Sequence, residues 1–237
     1  MINTDIIKGI TFDAGGTLVR PYPSVGQIYS DVMKNHGLNH GKDVLEEAFR
    51  RSWKKAQKAP RGSIDEASEI KWWKDVVMET LSDLDKPKNF ENLFNDLWNT
   101  FADARHWKLY DNARDVLAQL KDRGYRVAVL SNWDNRLRGI LDGVEILDLF
   151  DQVVISTEVG CEKPDPGIFH TAQKMIGFPP RAMLHVGDSH YHDVEASRSV
   201  GWQCLLIQHH PELSHGDEEA LKTLQDLLQI LPDKCPS

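Results

Sequence analysis

Cysteine is scarce in this chain: its 237 residues contain three, Cys161, Cys204 and Cys235. They are odd in number, far apart and without metal-ligand spacing, which excludes a disulfide framework or a cysteine-based zinc site, so reduced thiols are expected. Long apolar runs are missing as well, and no membrane-spanning helix is expected. The opening stretch MINTDIIKGI offers neither a basic leader before an apolar core nor an Arg-rich amphipathic segment, and a cytoplasmic location is expected. Positive charge is in deficit: 28 Lys and Arg against 36 Asp and Glu give a net charge of -8. Phosphate backbones are held by surplus cations, so nucleic acid is not an expected partner, whereas a small anion needs only one local positive site. The sequence shows no internal repeat and no low-complexity segment.

What is present is an ordinary globular composition, 41% apolar and 27% charged, at a length that suits one large domain or a domain with an insert. The stretch Ile7 to Thr17 reads IKGITFDAGGT. Its apolar run Ile10 to Phe12 is too short for a helix, leads into Asp13 and closes at Gly15 and Gly16, which predicts a buried strand delivering a carboxylate into a tight turn. After a polar turn at Arg20 to Pro23 the period is helical as far as Trp107. One apolar face carries Ile28, Val32 and Met33 and stops at Gly37. Others carry Leu45 and Phe49, then Ile70, Trp73 and Val77, then Phe90, Phe94 and Leu97, predicting four amphipathic helices.

From Tyr110 helices alternate with short apolar runs. A helix to Arg123, ended by Gly124, precedes Val127 to Leu130, and the pattern recurs at Val153 to Ile155, Met183 to Val186 and Cys204 to Ile207. Such alternation implies parallel strands with right-handed crossovers. Asp165-Pro166 reads as a helix start, and Asp217 to Ile230 as a last amphipathic helix with Leu221, Leu224, Leu227 and Leu228 inward. The expected fold is α/β: a Rossmann-like parallel-sheet core domain from 1–21 and 108–237, with an all-helical cap domain over 22–107 inserted after the first strand, above the strand ends.

In open α/β sheets ligands bind beyond the carboxyl ends of the strands, so Asp13 is a candidate for chemistry, although that stretch alone reads more readily as a simple loop cap. The other strands end in complementary groups. Ser131 and Asn132 follow VAVL, Lys163 lies in EVGCEKPDP, and Asp188 and Asp193 lie in MLHVGDSHYHD.

Together these stretches resemble the four motifs of the haloacid dehalogenase (HAD) superfamily of hydrolases, over the chain from Ile7 to Ile207, and the helical insert corresponds to that superfamily's first type of helical cap. FDAGGTL, SNWDNRL and KPDPGIF look most like the HAD-like hydrolase-domain proteins related to rhythmically expressed gene products. The resemblance implies Asp13 as nucleophile, Ser131 and Lys163 as its catalytic partners, and Asn132, Gly16 and Thr17 as substrate-binding groups. It also implies a Mg²⁺ site made by Asp13, the Gly15 carbonyl, Asp188 and Asp193, the last as a ligand or as the partner of one, and a small phosphorylated molecule as substrate. Phosphoryl transfer to a carboxylate needs such a set: a nucleophile, a hard cation, a fixed ammonium and a hydrogen-bond donor.

One position departs from the pattern. The superfamily's phosphatases usually carry a second aspartate two residues beyond the nucleophile, where this chain has Gly15, and an acid/base group is worth roughly a hundredfold to ten-thousandfold in rate. Four readings stay open: a substrate with a good leaving group, an acid supplied by the cap, cleavage of a bond other than P–O, or binding without turnover. Haloacid dehalogenases share the DAxGT arrangement and need no Mg²⁺, but paired acids at Asp188 and Asp193 favour phosphate. A Schiff-base lysine, as in phosphonoacetaldehyde hydrolases, would come from Lys54, Lys55 or Lys58, whose surroundings read as a solvated helix face. His190 and His192 read as surface residues rather than a replacement base. Trp53, Trp72, Trp73, Trp98 and Trp107 read as helical core, His36 as a helix-end cap and Cys161 as packing.

Overall fold

The computed structural model describes residues 2–59, 61–209 and 220–236. The chain forms two compact units, one made of Met1–Arg20 and Leu109–Ser237, the other of Pro21–Lys108. Its strands are β1 (Gly9–Phe12), β2 (Val19–Pro21), β3 (Trp107–Leu109), β4 (Arg126–Ser131), β5 (Gln152–Ile155), β6 (Met183–Gly187) and β7 (Gln203–Leu206). Its helices are α1 (Val25–Asn35), α2 (Lys42–Ala56), α3 (Glu66–Thr80), α4 (Phe90–Ala102), α5 (Ala113–Asp122), α6 (Arg136–Gly143), α7 (Ser156–Val159), α8 (Pro166–Ile176), α9 (Ala196–Ser199) and α10 (Asp226–Ile230).

The first unit is an α/β core around a five-stranded parallel sheet of order β5-β4-β1-β6-β7. β1 sits in the middle, with Phe12 beside Val129 on one side and Val186 on the other. All of β1 and all of β6 are buried, which is why they read as near-continuous apolar runs rather than alternations. The Asp13 N–H donates to the Val186 carbonyl at 2.9 Å, so the sheet ladder carries the chain up to the candidate nucleophile and fixes where it leaves.

Two expectations need correction. The stretch read as a polar turn at Arg20 contains β2, which pairs with β3 in a separate two-stranded sheet, and the Tyr22 N–H donates to the His106 carbonyl at 2.8 Å. Strands of three residues are too short to display a period. The last helix is also shorter than read, Asp226–Ile230. Ahead of it Leu221 bridges Ile207, and the Asp226 carboxylate accepts from the Lys222 and Thr223 N–H groups at 3.0 and 2.9 Å, which turns the chain before the helix starts. Leu221, Leu224, Leu227 and Leu228 are buried as a helix would have buried them, so their spacing reports burial rather than helix. Residues 217–219 of that reading lie outside the described residues.

The second unit holds α1 to α4 around an apolar cluster that includes Tyr29, Met33, Leu45, Val77, Phe94 and Leu97. Ser24, Asp65 and Asn89 cap α1, α3 and α4 by accepting from N–H groups three residues on, which supplies partners for donors that the first turn leaves open. Trp53, Trp72 and Trp73 pack ring against ring at 5.0–5.4 Å, with the Arg61 guanidinium 4.6 Å from the Trp72 ring. Lys54, Lys55 and Lys58 are exposed, Lys55 paired with Glu79. His36 does more than end α1: its Nε2 reaches Asp96 on α4 at 2.8 Å. Among the described residues no helix is long and apolar enough to cross a membrane.

Candidate active site

The loops beyond β1, β4 and β6, with the segment after α7, gather around Asp13. Ser131, the last residue of β4, donates from Oγ to Asp13 Oδ1 at 3.0 Å. Lys163 Nζ donates to the same oxygen at 2.7 Å and to Asp193 Oδ1 at 2.6 Å. Asp13, Ser131, Lys163 and Asp193 are all buried. The lysine is held from behind by Asn132, whose Nδ2 donates to the Lys163 carbonyl at 2.8 Å and whose Oδ1 accepts from the Lys163 N–H at 2.7 Å. Asn132, expected to bind substrate, therefore spends its amide on fixing the main chain that aims the ammonium.

Asp193, expected as a metal ligand or the partner of one, has both oxygens engaged by protein donors. Oδ1 also accepts from His185 Nε2 at 2.9 Å, and Oδ2 accepts from the Ser189 N–H at 2.9 Å. It projects from a π-helical turn, His190–Glu195, back against β6. A Cβ on Gly187 would meet the Asp193 Cγ at 2.2 Å, so the residue before Asp188 has to be glycine for the carboxylate to lie there. The imidazole is wholly buried, and its Nδ1 is hydrogen-bonded at 2.7 Å to the hydroxyl of Thr11, the register neighbour across β1 and β6. A chain of contacts thus runs Thr11, His185, Asp193, Lys163, Asp13.

The electrostatics follow from that chain. Burial alone would lower the Lys163 ammonium, but the charges of Asp13 and Asp193 and their hydrogen bonds outweigh it and hold its pKa above the ordinary range. Burial would likewise raise Asp193, and the charge of Lys163 with the donors from His185 and Lys163 overcomes this and holds it below the usual carboxylate range. Asp188 is different. Crowding by protein, then the negative charges of Asp13 and Asp193, push its pKa upward, and the Lys163 charge offsets them only in part. Part of this residue is open to solvent, and water there screens some of that repulsion, which reduces the size of the shift and leaves its direction. Among the described residues none donates a hydrogen bond to its carboxylate from another position and none forms an ion pair with it.

An open carboxylate, repelled by a second one and lacking a cation, suits Mg²⁺, which takes few protein oxygens and keeps its waters. Among the described residues no set of three or more His, Cys, Asp or Glu side chains is gathered as a metal centre. A site here would rest on Asp13, Asp188 and main-chain oxygen. Gly16 packs against Asp188: its φ is +83°, and a Cβ there would meet Asp188 Oδ2 at 2.3 Å. Thr17 is fully buried, and its hydroxyl has no hydrogen-bond partner among the described residues.

His192 is half-buried beside the site, its Nδ1 3.1 Å from the Ser189 hydroxyl, and burial followed by the Lys163 charge lowers its pKa. His190 is exposed and pairs with Glu195. Sequence reasoning missed His185 and Thr11, whose signal was a polar residue inside each of two otherwise apolar strands. It also missed the parallel stack of Tyr110 on His209, 3.6 Å apart, with His209 Nε2 donating to the Thr17 carbonyl at 2.9 Å.

Comparison with known proteins bears on this geometry. The sequence model for haloacid dehalogenase-like hydrolases matches residues 7–201. The human haloacid dehalogenase-like hydrolase domain-containing protein 3 is 32% identical over 85% of this chain and 82% of its own length. The rhythmically expressed gene 2 protein of Drosophila melanogaster is 27% identical over 84% and 82%. Among solved structures, a HAD phosphatase from Thermococcus onnurineus superposes with a TM-score of 0.68 at 24% identity, covering 97% of this chain and all of that one. A HAD-hydrolase from Bacillus subtilis solved bound to magnesium gives 0.77 at 15% identity, covering 95% and 98%. At those identities the two structures speak for the fold alone.

Proposed function

The chain belongs to the haloacid dehalogenase-like hydrolase family, and from that membership we propose that it is a Mg²⁺-dependent phosphohydrolase in which Asp13 accepts the phosphoryl group of a small phosphorylated molecule. The supporting observation is the asymmetric hold on Asp13: Ser131 and Lys163 both bind Oδ1, which leaves Oδ2 to attack. In the first step that oxygen bonds to phosphorus, the P–O bond to the leaving group breaks, and its electron pair departs with the leaving oxygen. Lys163 keeps a positive charge beside the developing negative charge, in surroundings that exclude water and so strengthen the interaction. Water then attacks phosphorus, the P–O bond to Asp13 breaks with its electron pair returning to the carboxylate, and the water's proton passes to bulk solvent. Asp13, Asp188 and the Gly15 carbonyl would hold Mg²⁺, which when bound neutralises phosphate charge.

Gly15 offers no proton to the leaving group, so the reading favours substrates whose leaving groups depart as stable anions. The test is hydrolysis of aryl and acyl phosphates by purified protein with Mg²⁺. Turnover that disappears in Asp13→Ala is expected. No turnover across the panel, or equal rates in Asp13→Ala, sinks the reading. Halide release from 2-haloacids without Mg²⁺ would replace it with the dehalogenase chemistry of other family members.

A further inference from the structure

The residue whose absence of a side chain distinguishes this site is held open by a neighbour. Gly15 is not among the positive-φ glycines, unlike Gly16, so its backbone does not demand glycine. What crowds the position is Trp133. A Cβ on Gly15 would stand 3.0 Å from Cζ3, 3.7 Å from Cη2 and 4.0 Å from Cε3 of the indole, so the six-membered ring covers the Gly15 Cα. A methyl group here would need the ring to give by a few tenths of an ångström, and a longer side chain would compete with the ring for the same space.

The ring is carried on main chain fixed from both sides. The Trp133 N–H donates to Ser156 Oγ at 3.0 Å, Ser156 Oγ donates to the Trp133 carbonyl at 2.9 Å, and the Thr157 N–H reaches the same carbonyl at 3.3 Å. On one flank Asn132 is tied to Lys163, and on the other the wholly buried Asp134 binds Arg136. Trp133 itself stays partly exposed. It therefore projects from a rigid loop onto the turn that carries Asp13, two residues beyond Ser131, with Gly15 two residues beyond Asp13.

We propose that Trp133 is the specificity-determining residue of this site: its indole takes the space of a side chain at position 15 and forms an apolar wall against which a flat, aromatic leaving group packs. The inference rests on the phosphoryl-transfer reading of Asp13 and narrows its substrate class to phosphates of weakly basic aromatic alcohols. The two properties fit one another chemically. A phenolate leaves with the P–O electron pair without needing a proton in the same step and takes one from water afterwards. The same ring that makes it a stable anion presents the face that an indole holds, a contact strong enough for about a tenfold gain in affinity.

Calorimetric binding of phenylphosphonate and methylphosphonate, neither of which has a leaving group to lose, to the full chain in excess Mg²⁺ tests this without relying on turnover. The wild-type protein should bind the phenyl compound about tenfold more tightly. That ratio should fall close to one in Trp133→Ala, and Trp133→Phe should keep more of it than Trp133→Leu, so a poorly folded alanine variant leaves the test intact. A wild-type ratio near one, or an unchanged ratio in folded Trp133→Ala or Trp133→Leu protein, overturns the assignment. Hydrolysis of p-nitrophenyl phosphate, assayed on the same samples, separates the two claims. A Trp133-dependent ratio without hydrolysis refutes the hydrolase reading alone, and hydrolysis with no such ratio refutes the role of Trp133 alone.

Discussion

One ammonium serves two buried carboxylates, and two substitutions probe that arrangement. Removing one partner of a buried ion pair costs roughly 3–5 kcal/mol because the other charge stays desolvated. Asp193 would keep its donors from His185 and Ser189 without Lys163, and Asp13 would keep Ser131. Lys163→Met should therefore lose about 3 kcal/mol in urea unfolding, at the low end of that range. A loss under about 1 kcal/mol would mean the pair is solvated in solution. His185→Leu should remove one of the donors that fix Asp193, which keeps those from Lys163 and Ser189, and the looser aim of the ammonium should lower kcat about tenfold with KM little changed, since a misplaced ammonium matters most in the transition state. His185→Gln keeps a donor and an acceptor and should recover most of the loss, whereas equal losses in both variants would reduce His185 to packing. Asp13, Ser131 and Asp188 are legible in the sequence because polar residues at the ends of apolar runs stand out, whereas Lys163 lies in a loop beyond α7 and stands out only beside the other three stretches. His185 is not legible in this sense: its partner Thr11 is 174 positions away and becomes visible only through the register of β1 against β6. Trp133 is hidden for the same reason, since nothing local says that its ring lies on Gly15.

Elements are legible where they are long and regular, as in α1 to α4 and the buried strands of the parallel sheet, and fail where a few hydrogen bonds decide. The C-terminal segment is the clearest case: leucines at helical spacing are buried, while the Leu221 bridge and the Asp226 turn keep Leu221 and Leu224 out of a helix. What ends α10 is likewise nonlocal. Arg123, just after α5, donates from Nη1 to the carbonyls of Leu228 and Leu231, both at 2.9 Å, supplying partners that a helix C-terminus lacks. Hydrogen bonds from a charged group contribute more than neutral ones, and Arg123→Ala should cost about 2 kcal/mol by urea unfolding, with no change in Mg²⁺ binding. An unaffected midpoint would show that water replaces the guanidinium without loss.

For the molecule as a whole, a net charge of -8 and an Asp188 whose repulsion is only partly offset should make stability depend on both cation and pH. Asp188 has a raised pKa in the folded metal-free chain, so folding holds its proton more tightly than the unfolded chain does. That contribution is fully present below the ordinary carboxylate pKa and is lost as pH rises through the folded value. Mg²⁺ held as proposed by Asp13 and Asp188 would compete with the proton and offset the repulsion between them, so the rise in Tm on replacing chelator with Mg²⁺ should be larger at pH 8 than at pH 5. Asp188→Asn should flatten both the pH slope and the Mg²⁺ response, and an undiminished response in that variant would move the cation elsewhere. The central claim is covalent transfer to Asp13. An aryl phosphate labelled at phosphorus, mixed with excess protein and Mg²⁺ and quenched in acid at successive times, tests it most directly. The account predicts label on the peptide carrying Asp13, formed no more slowly than phosphate is released and missing in Asp13→Asn. Phosphate released with that peptide unlabelled, and at an undiminished rate in Asp13→Asn, would contradict it.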